Sequence, residues 1–452
     1  MVVFVKDIKN IWKQSNICDK LAFIIAGMTI LGLILFMEYI DTPELLNCTH
    51  QEWDLLLSGQ ILNIYDGSGD LGLTINLIDR FWLFIWYLPS WFLGKIVGSD
   101  SYITYPYHLW HMLFSAILFV ICTYTYTDMM KNIKGHIDEL QGVLLSLASP
   151  IVMLSVFYSG QNEIGYITLF LLALMYYVRG DRKRFYIFMI LSAISCQIML
   201  VPYLIFIIME DKKIYSIIGK LIIPMIPQFV YDIVFSHSLS YRYLPSVNMF
   251  SRFFEGDTFS INAIVLIIIM FLVYFSKFSD DKIDNVSRYA FLTTIAMGIL
   301  EILSVDNFYR RFLWIISALV YVITLDKIRG KIDILVINII SIFQALLYLS
   351  QEGLITARQS GRVTPLTELI VGKPKNYYDI LLKFDDMYFM WRMINSVIIA
   401  GFLLFVGFGL ANEKIIKKLD YRNEVSLCSY MTLGSMVVIP MMIIYALMKA
   451  YI

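Results

Sequence analysis

Residues 163–184 read EIGYITLFLLALMYYVRGDRKR. From Ile164 to Val178 no side chain is charged, and Arg179, Arg182, Lys183 and Arg184 then crowd against the end of the run, with Asp181 among them. A bilayer-spanning helix must satisfy its backbone internally over about 20 mostly apolar residues, and short basic loops stay on the cytoplasmic side. The stretch therefore reads as a crossing that ends inside. The same pattern recurs along the chain, at 21–40, 107–126, 139–158, 163–179, 214–235, 259–277, 288–305, 309–325, 332–350, 394–411 and 428–449, with two less regular stretches at 79–98 and 185–210.

Composition agrees with that reading. Of 452 residues, 59% are hydrophobic and 16% charged, and the mean hydropathy is +0.70, whereas an ordinary soluble domain carries roughly 25% charged residues. Lys plus Arg equals Asp plus Glu at 36 each, so no overall charge draws the chain to nucleic acid, and membrane lipids are the expected partners. The five cysteines have no CxxC or CxxH spacing, which leaves no metal-binding or disulfide framework to read. The first run is expected to stay as an anchor, since Lys6, Lys9, Lys13 and Lys20 precede it and no small-residue cleavage pattern follows it.

Loop charge sets the direction of each crossing. With the N-terminus inside, loop 41–78 falls outside; it carries Asp41, Glu44, Glu52, Asp54, Asp66 and Asp70 and no Lys or Arg. Lys131 and Lys134, then 179–184, Lys277 and Lys282, the 327–331 cluster and Lys414 to Arg422 all fall inside by the same count. Segment 79–98 would begin and end outside, and its Asp79, Arg80, Lys95, Trp82, Trp86 and Trp91 fit an interfacial or re-entrant helix. Segment 185–210 has basic residues at both ends, so it is expected to be a hairpin of two short helices broken near Gln197 and Pro202. The expected architecture is all-α and polytopic, with about 13 transmembrane helices, N-terminus inside and C-terminus outside. No repeat or linker interrupts residues 1–452, which are taken as one membrane domain; the outer loop 351–393 is the only candidate for a subdomain.

Chemistry is expected on the outer face. In Gln51 to Tyr65, apolar residues at 53, 56, 57, 61 and 64 recur at helical spacing, which predicts a short amphipathic surface helix with Asp54 at the water boundary. A carboxylate there suits a general base acting on an acceptor hydroxyl, since that proton leaves as the new bond forms. The turn Ser159-Gly160-Gln161-Asn162-Glu163 joins two runs on the same face. An acid at a helix mouth escapes most of the ~2.5–3.5 kcal/mol that Asp costs at a span centre. Glu163 is also favoured there by the helix dipole alone.

The order of these elements resembles integral-membrane glycosyltransferases of the GT-C fold that use polyprenyl-phosphate sugars. Those elements are one span, an acidic outer loop with a surface helix, an aromatic second surface segment, two spans and a Gly-Gln-Asn-Glu turn. The phrase 159–163, followed by Leu169 to Leu174 and the basic cluster 179–184, is similar to the Gly-Gln-x-Asp turn and following span of the bacterial and GPI-type mannosyltransferase branches. The resemblance covers about residues 20–325, leaving 326–452 as variable C-terminal helices with their outer loop. It implies Asp54 as the first-loop acid, Glu163 as the second-loop acid, and Gln161 and Asn162 beside the substrate. The family often has Asp at the position of Glu163, and often a Lys, expected to hold the donor phosphate, where this chain has Gln197. That role then falls to Arg310 and Arg311, next to Tyr309 at the mouth of a crossing, or to Arg80, because a guanidinium engages phosphate oxygens with paired donors; helix-end snorkelling is the alternative for all three.

The expected donor is thus a polyprenyl-phosphate sugar and the acceptor a glycan, lipid or protein. The sequence names no certain cofactor, and two acids near one turn leave room for a divalent cation, Mg²⁺ or Mn²⁺. His108 and His111 read as an interfacial belt rather than a metal site, and Asn47-Cys48-Thr49 is a glycosylation sequon on the outer side. Two rival classes remain. A lipid-linked glycan flippase or transporter needs polar groups along a midplane path. A cell-envelope glycan polymerase or ligase would use the basic outer loop with Arg358, Arg362, Lys373 and Lys375.

Overall fold

The computed structural model describes residues 12–13, 17–36, 53–63, 88–89, 91–92, 95–96, 105–134, 149–158, 163–236, 259–276, 279–302, 312–325, 327–348 and 388–410. Among these the chain is helical throughout, with no strand. In chain order the helices are α1 (Ile17–Phe36), α2 (Tyr105–Lys134), α3 (Pro150–Met153), which widens into a π turn at Leu154–Tyr158, and α4 (Glu163–Val178). They continue as α5 (Arg182–Ser195), α6 (Leu200–Glu210), α7 (Ile214–Phe235), α8 (Phe259–Phe275), α9 (Lys282–Ile302), α10 (Leu313–Thr324), α11 (Lys327–Tyr348) and α12 (Tyr388–Leu410). Where they are described, the expected apolar runs fall largely on these helices; 428–449, residues 139–148 and most of 79–98 lie outside the described residues. Met112–Ile133 and Arg392–Leu410 are long and apolar enough to cross a bilayer, while α4, α6, α10 and parts of α7 and α11 are shorter apolar helices.

Contacts divide the chain into two compact units interleaved in sequence: 1–40, 123–161 and 286–452 in one, 41–122 and 162–285 in the other. Two of its boundaries fall inside helices, in the middle of α2 and near the start of α9, where no linker marks them. For this reason a reading based on linkers treats the chain as one domain.

The second unit is organised by the α4–α5 pair. Gly180, at φ +83°, closes α4: its N–H donates to Tyr177 O at 2.9 Å and the Asp181 N–H to Tyr176 O at 2.9 Å, the pairing that satisfies the last carbonyls of a helix. Asp181 then starts α5 by accepting from the Arg184 N–H at 3.1 Å. One two-residue turn thus ends one helix and begins the next. A Cβ at position 180 would be strained by the positive φ, so Gly180→Ala is expected to cost about 1–2 kcal/mol; thermal unfolding in detergent measures it, and a neutral result would remove this turn as the determinant of the pair.

The hairpin expected at 185–210 is present. Cys196 adopts extended backbone and ends α5, a single turn of 3-10 helix at Gln197–Met199 follows, and α6 returns. Phe185 near the start meets Phe206 near the finish, with ring centroids 4.2 Å apart, and Tyr177 of α4 packs against both. Glu210 accepts from the Tyr186 hydroxyl and from Lys220 Nζ at 3.1 Å, with Arg182 Nη1 at 3.6 Å. Lys212 donates to Ile208 O and Ser276 O, each at 2.7 Å, so one ammonium satisfies carbonyls at the ends of α6 and α8.

Asp211, at the head of α7, is held at a pKa of about 2 by the Ser216 hydroxyl and the Lys213 backbone N–H. A depressed carboxylate contributes stability above its ordinary value of 3.8 that is lost as pH falls toward the folded value. Asp211→Asn is therefore expected to lower the thermal midpoint at pH 5, with the gap closing as pH falls and gone by about pH 1, below both pKa values. A gap as wide at about pH 1 as at pH 5 would refute this account.

In the first unit α10 is buried at every position from Leu313 to Ile323, the signature of a helix at the centre of a bundle. Its N-terminus has no side-chain cap of its own; Glu301, buried in α9, accepts from the Trp314 N–H at 3.1 Å instead. The Tyr126 hydroxyl donates to Ile316 O. Helices α9 and α12 meet through two notches: a Cβ on Gly298 would lie 2.1 Å from the Phe402 ring, and one on Gly409 would lie 2.0 Å from the Phe291 ring. Seven residues forward on α9 correspond to seven back on α12, so the helices run antiparallel with each ring seated over the other helix's glycine.

Candidate functional site

Residues 53–63 fold differently from a single amphipathic helix. Among the described residues of the 51–65 segment, α-helix forms at 53–57. Gly59, at φ +76°, then turns the chain, with its N–H on Leu56 O at 3.1 Å and the Gln60 N–H on Leu55 O at 2.8 Å, and a 3-10 turn at Ile61–Asn63 follows. The apolar spacing that predicts helix to position 64 continues across this glycine, and spacing alone carries no signal for a residue that needs positive φ.

Asp54 lies in that short helix and is drawn into contact with the second surface segment. The Trp91 indole N–H donates to Asp54 Oδ1 at 2.9 Å, and Lys95 Nζ stands 2.8 Å from the same oxygen. Trp53 packs on Trp91 at 6.1 Å between ring centroids, and the Lys95 ammonium lies over the Trp91 ring at 5.7 Å. The Asp54 side chain is 41% exposed and that of Lys95 50%. A half-exposed ion pair is worth about 0–1 kcal/mol, so its main effect is orientation. Both contacts take Oδ1, which fixes the plane of the carboxylate while Oδ2 takes part in neither. Leu57, Leu62, Phe92 and Ile96 are exposed around this cluster, as on a surface element that rests in an apolar interface.

Glu163 is the first residue of α4 and is buried. The N-terminal N–H groups and the dipole of α4 favour its charge there. It belongs to the same unit as Asp54.

Gln197 occupies the turn that breaks α5 from α6, as expected of the hairpin, with only its backbone described. Arg80, Gln161, Asn162, Tyr309, Arg310 and Arg311 lie outside the described residues, as do the sequon at 47–49 and Arg358, Arg362, Lys373 and Lys375. Among the described residues no group of three or more His, Cys, Asp or Glu side chains gathers to hold a metal ion. Sequence reasoning placed Trp91 and Lys95 in a surface segment and did not pair them with Asp54. The available signal was Lys95 and three tryptophans in the segment that follows an acidic loop.

Comparison with protein families, with curated proteins and with solved structures returns no match. The functional reading therefore rests on the site itself and on the sequence pattern.

Proposed function

We propose that the chain is a multispanning membrane glycosyltransferase that moves a sugar from a polyprenyl-phosphate donor to a glycan, lipid or protein acceptor at the outer membrane face. About 13 crossings, with the N-terminus in the cytoplasm, put the first loop and the 159–163 turn on that face by loop charge. Exposed apolar side chains support the membrane setting: α7 exposes Ile218, Ile222, Ile226, Phe229, Val230 and Ile233, and α8 exposes Ile267, Phe271, Leu272 and Phe275. Apolar faces of that length suit lipid contact and are far more than a soluble monomer leaves uncovered. The short helices of the 182–210 hairpin, with their ends together, suit a segment that enters and leaves on one side.

The observation that carries the enzyme reading is the anchored carboxylate of Asp54. In the proposed reaction the acceptor hydroxyl loses its proton to Asp54 as its oxygen bonds to the anomeric carbon. The bond from that carbon to the lipid-phosphate oxygen breaks, and the lipid phosphate departs with the electron pair. Glu163 orients acceptor or donor, with Gln161 and Asn162 beside it. Arg310 and Arg311, with Tyr309, hold the phosphate; Arg80 and Gln197 complete the donor side. The test is sugar transfer in proteoliposomes from a panel of radiolabelled polyprenyl-phosphate sugars. Transfer from one donor class supports the reading, and none from any donor overturns it.

A second reading, movement of a lipid-linked glycan, is favoured by one feature of α11: Asp333, Asn338, Ser341 and Gln344 are all buried. Polar groups inside a membrane bundle are characteristic of transport paths. Donor-independent lipid movement in the same vesicles discriminates the two.

A further inference from the structure

Inside the first unit α3 packs along α11, and the seam between them is polar. The Ile151 backbone N–H donates to Ser341 Oγ at 3.2 Å. Gln344 follows Ser341 by three residues and so lies on the same face of α11, one turn on. Ser149, Ser341 and Gln344 are fully buried. Among the described residues neither Oε1 nor Nε2 of Gln344, nor Oγ of Ser149, has a hydrogen-bond partner. Ser149 immediately precedes α3 without capping it through its side chain.

A buried primary amide and a buried hydroxyl are each costly unless something hydrogen-bonds them, and folded proteins keep such groups buried where a partner is supplied. The partner must donate to one end of the Gln344 amide and accept from the other. Water does both and is stable where two to four polar groups converge. Ser341 adds a third residue, since its oxygen accepts from Ile151 and its own proton remains to give. A cation fits the seam poorly: the three side chains offer only neutral oxygens, and Asp333 lies eleven residues before Gln344, roughly 16 Å along the helix. We propose that water is bound between α3 and α11, held by Ser149, Ser341 and Gln344. This site is independent of the glycosyl-transfer reading.

The experiment is brief X-ray radiolysis of the full chain in detergent in ¹⁸O-labelled water, because hydroxyl radicals formed from a bound water oxidise the side chains beside it even when bulk solvent cannot reach them. Met153, fully buried in α3, is expected to take up ¹⁸O much faster than Met189, equally buried in α5. That difference is expected to disappear in Gln344→Leu, whose thermal midpoint falls by about 2–4 °C as the bridged groups lose their partner. Labelling of Met153 no faster than Met189 in the native chain overturns the proposal. So does a higher midpoint in Gln344→Leu, the result for a dry seam relieved of an unpaired amide. A midpoint that rises with Na⁺ or K⁺ in the native chain but not in Gln344→Leu also overturns it, by assigning the seam to a cation.

Discussion

Asp54→Asn is expected to lower sugar transfer by about 10²–10⁴-fold, the usual contribution of a positioned general base, with folding stability unchanged to within about 1 kcal/mol. Both halves follow from one geometry. Asn keeps the size of the side chain and an oxygen able to accept from Trp91 and Lys95, which hold Asp54 Oδ1 at 2.9 and 2.8 Å, but it cannot take up the proton of an acceptor hydroxyl. The ion pair it removes is half-exposed, so little stability goes with it. Trp91→Phe is the companion variant: it keeps the ring on Trp53 and deletes the N–H, and is expected to lower transfer by a smaller factor because Lys95 still restrains the carboxylate. Initial rates at matched expression, alongside thermal unfolding, make the comparison. Transfer within twofold of native for Asp54→Asn would sink the base assignment and leave the Asp54–Trp91–Lys95 cluster as a tie between two surface segments.

Gly298→Ala is expected to destabilise the first unit by about 2–3 kcal/mol, near the upper end for adding a methyl to a packed core. The added Cβ would stand 2.1 Å from a ring atom of Phe402, and that ring is buried, with its edge against Trp314 at 5.8 Å between centroids. Trp314 lies on the fully buried α10, so the ring has no open space to retreat into. Phe402→Leu in the same chain is expected to recover more than half of the loss, although on its own it removes buried surface and destabilises. A coupling of about 1–3 kcal/mol between the two sites is the signature of direct contact. Strict additivity in denaturation midpoints would mean that α9 and α12 do not interlock through this notch.

How much of this was legible in the sequence differs from element to element. At 179–184 the sequence reading used only the basic cluster, although the turn itself is local: a residue free to adopt positive φ, followed by an N-cap acid, ends one helix and starts the next within two positions. The broken 185–210 segment was expected from the basic residues at both its ends, and the break falls at Cys196 to Met199. The extent of the first surface helix was misjudged because apolar spacing runs unbroken past Gly59. Asp54 stood out as an acid in an outer loop, yet Trp91 and Lys95, 37 and 41 positions later, carried no spacing rule that pairs them with it.

The amino-acid sequence by itself determined the helical character, the placement of the apolar runs and the turns between neighbouring helices, because each depends on side chains within one or two turns of each other and on their affinity for water or hydrocarbon. Tertiary structure alone decided which distant helices meet. Glycines 298 and 409 become notches only because Phe402 and Phe291 arrive over them, Glu301 caps α10 from another helix, and Ser341 of α11 accepts a backbone N–H of α3. The physical reason is range: hydrophobicity and backbone preference act locally and leave a periodic trace, whereas close packing and buried hydrogen bonds depend on the shapes that long-range contacts create.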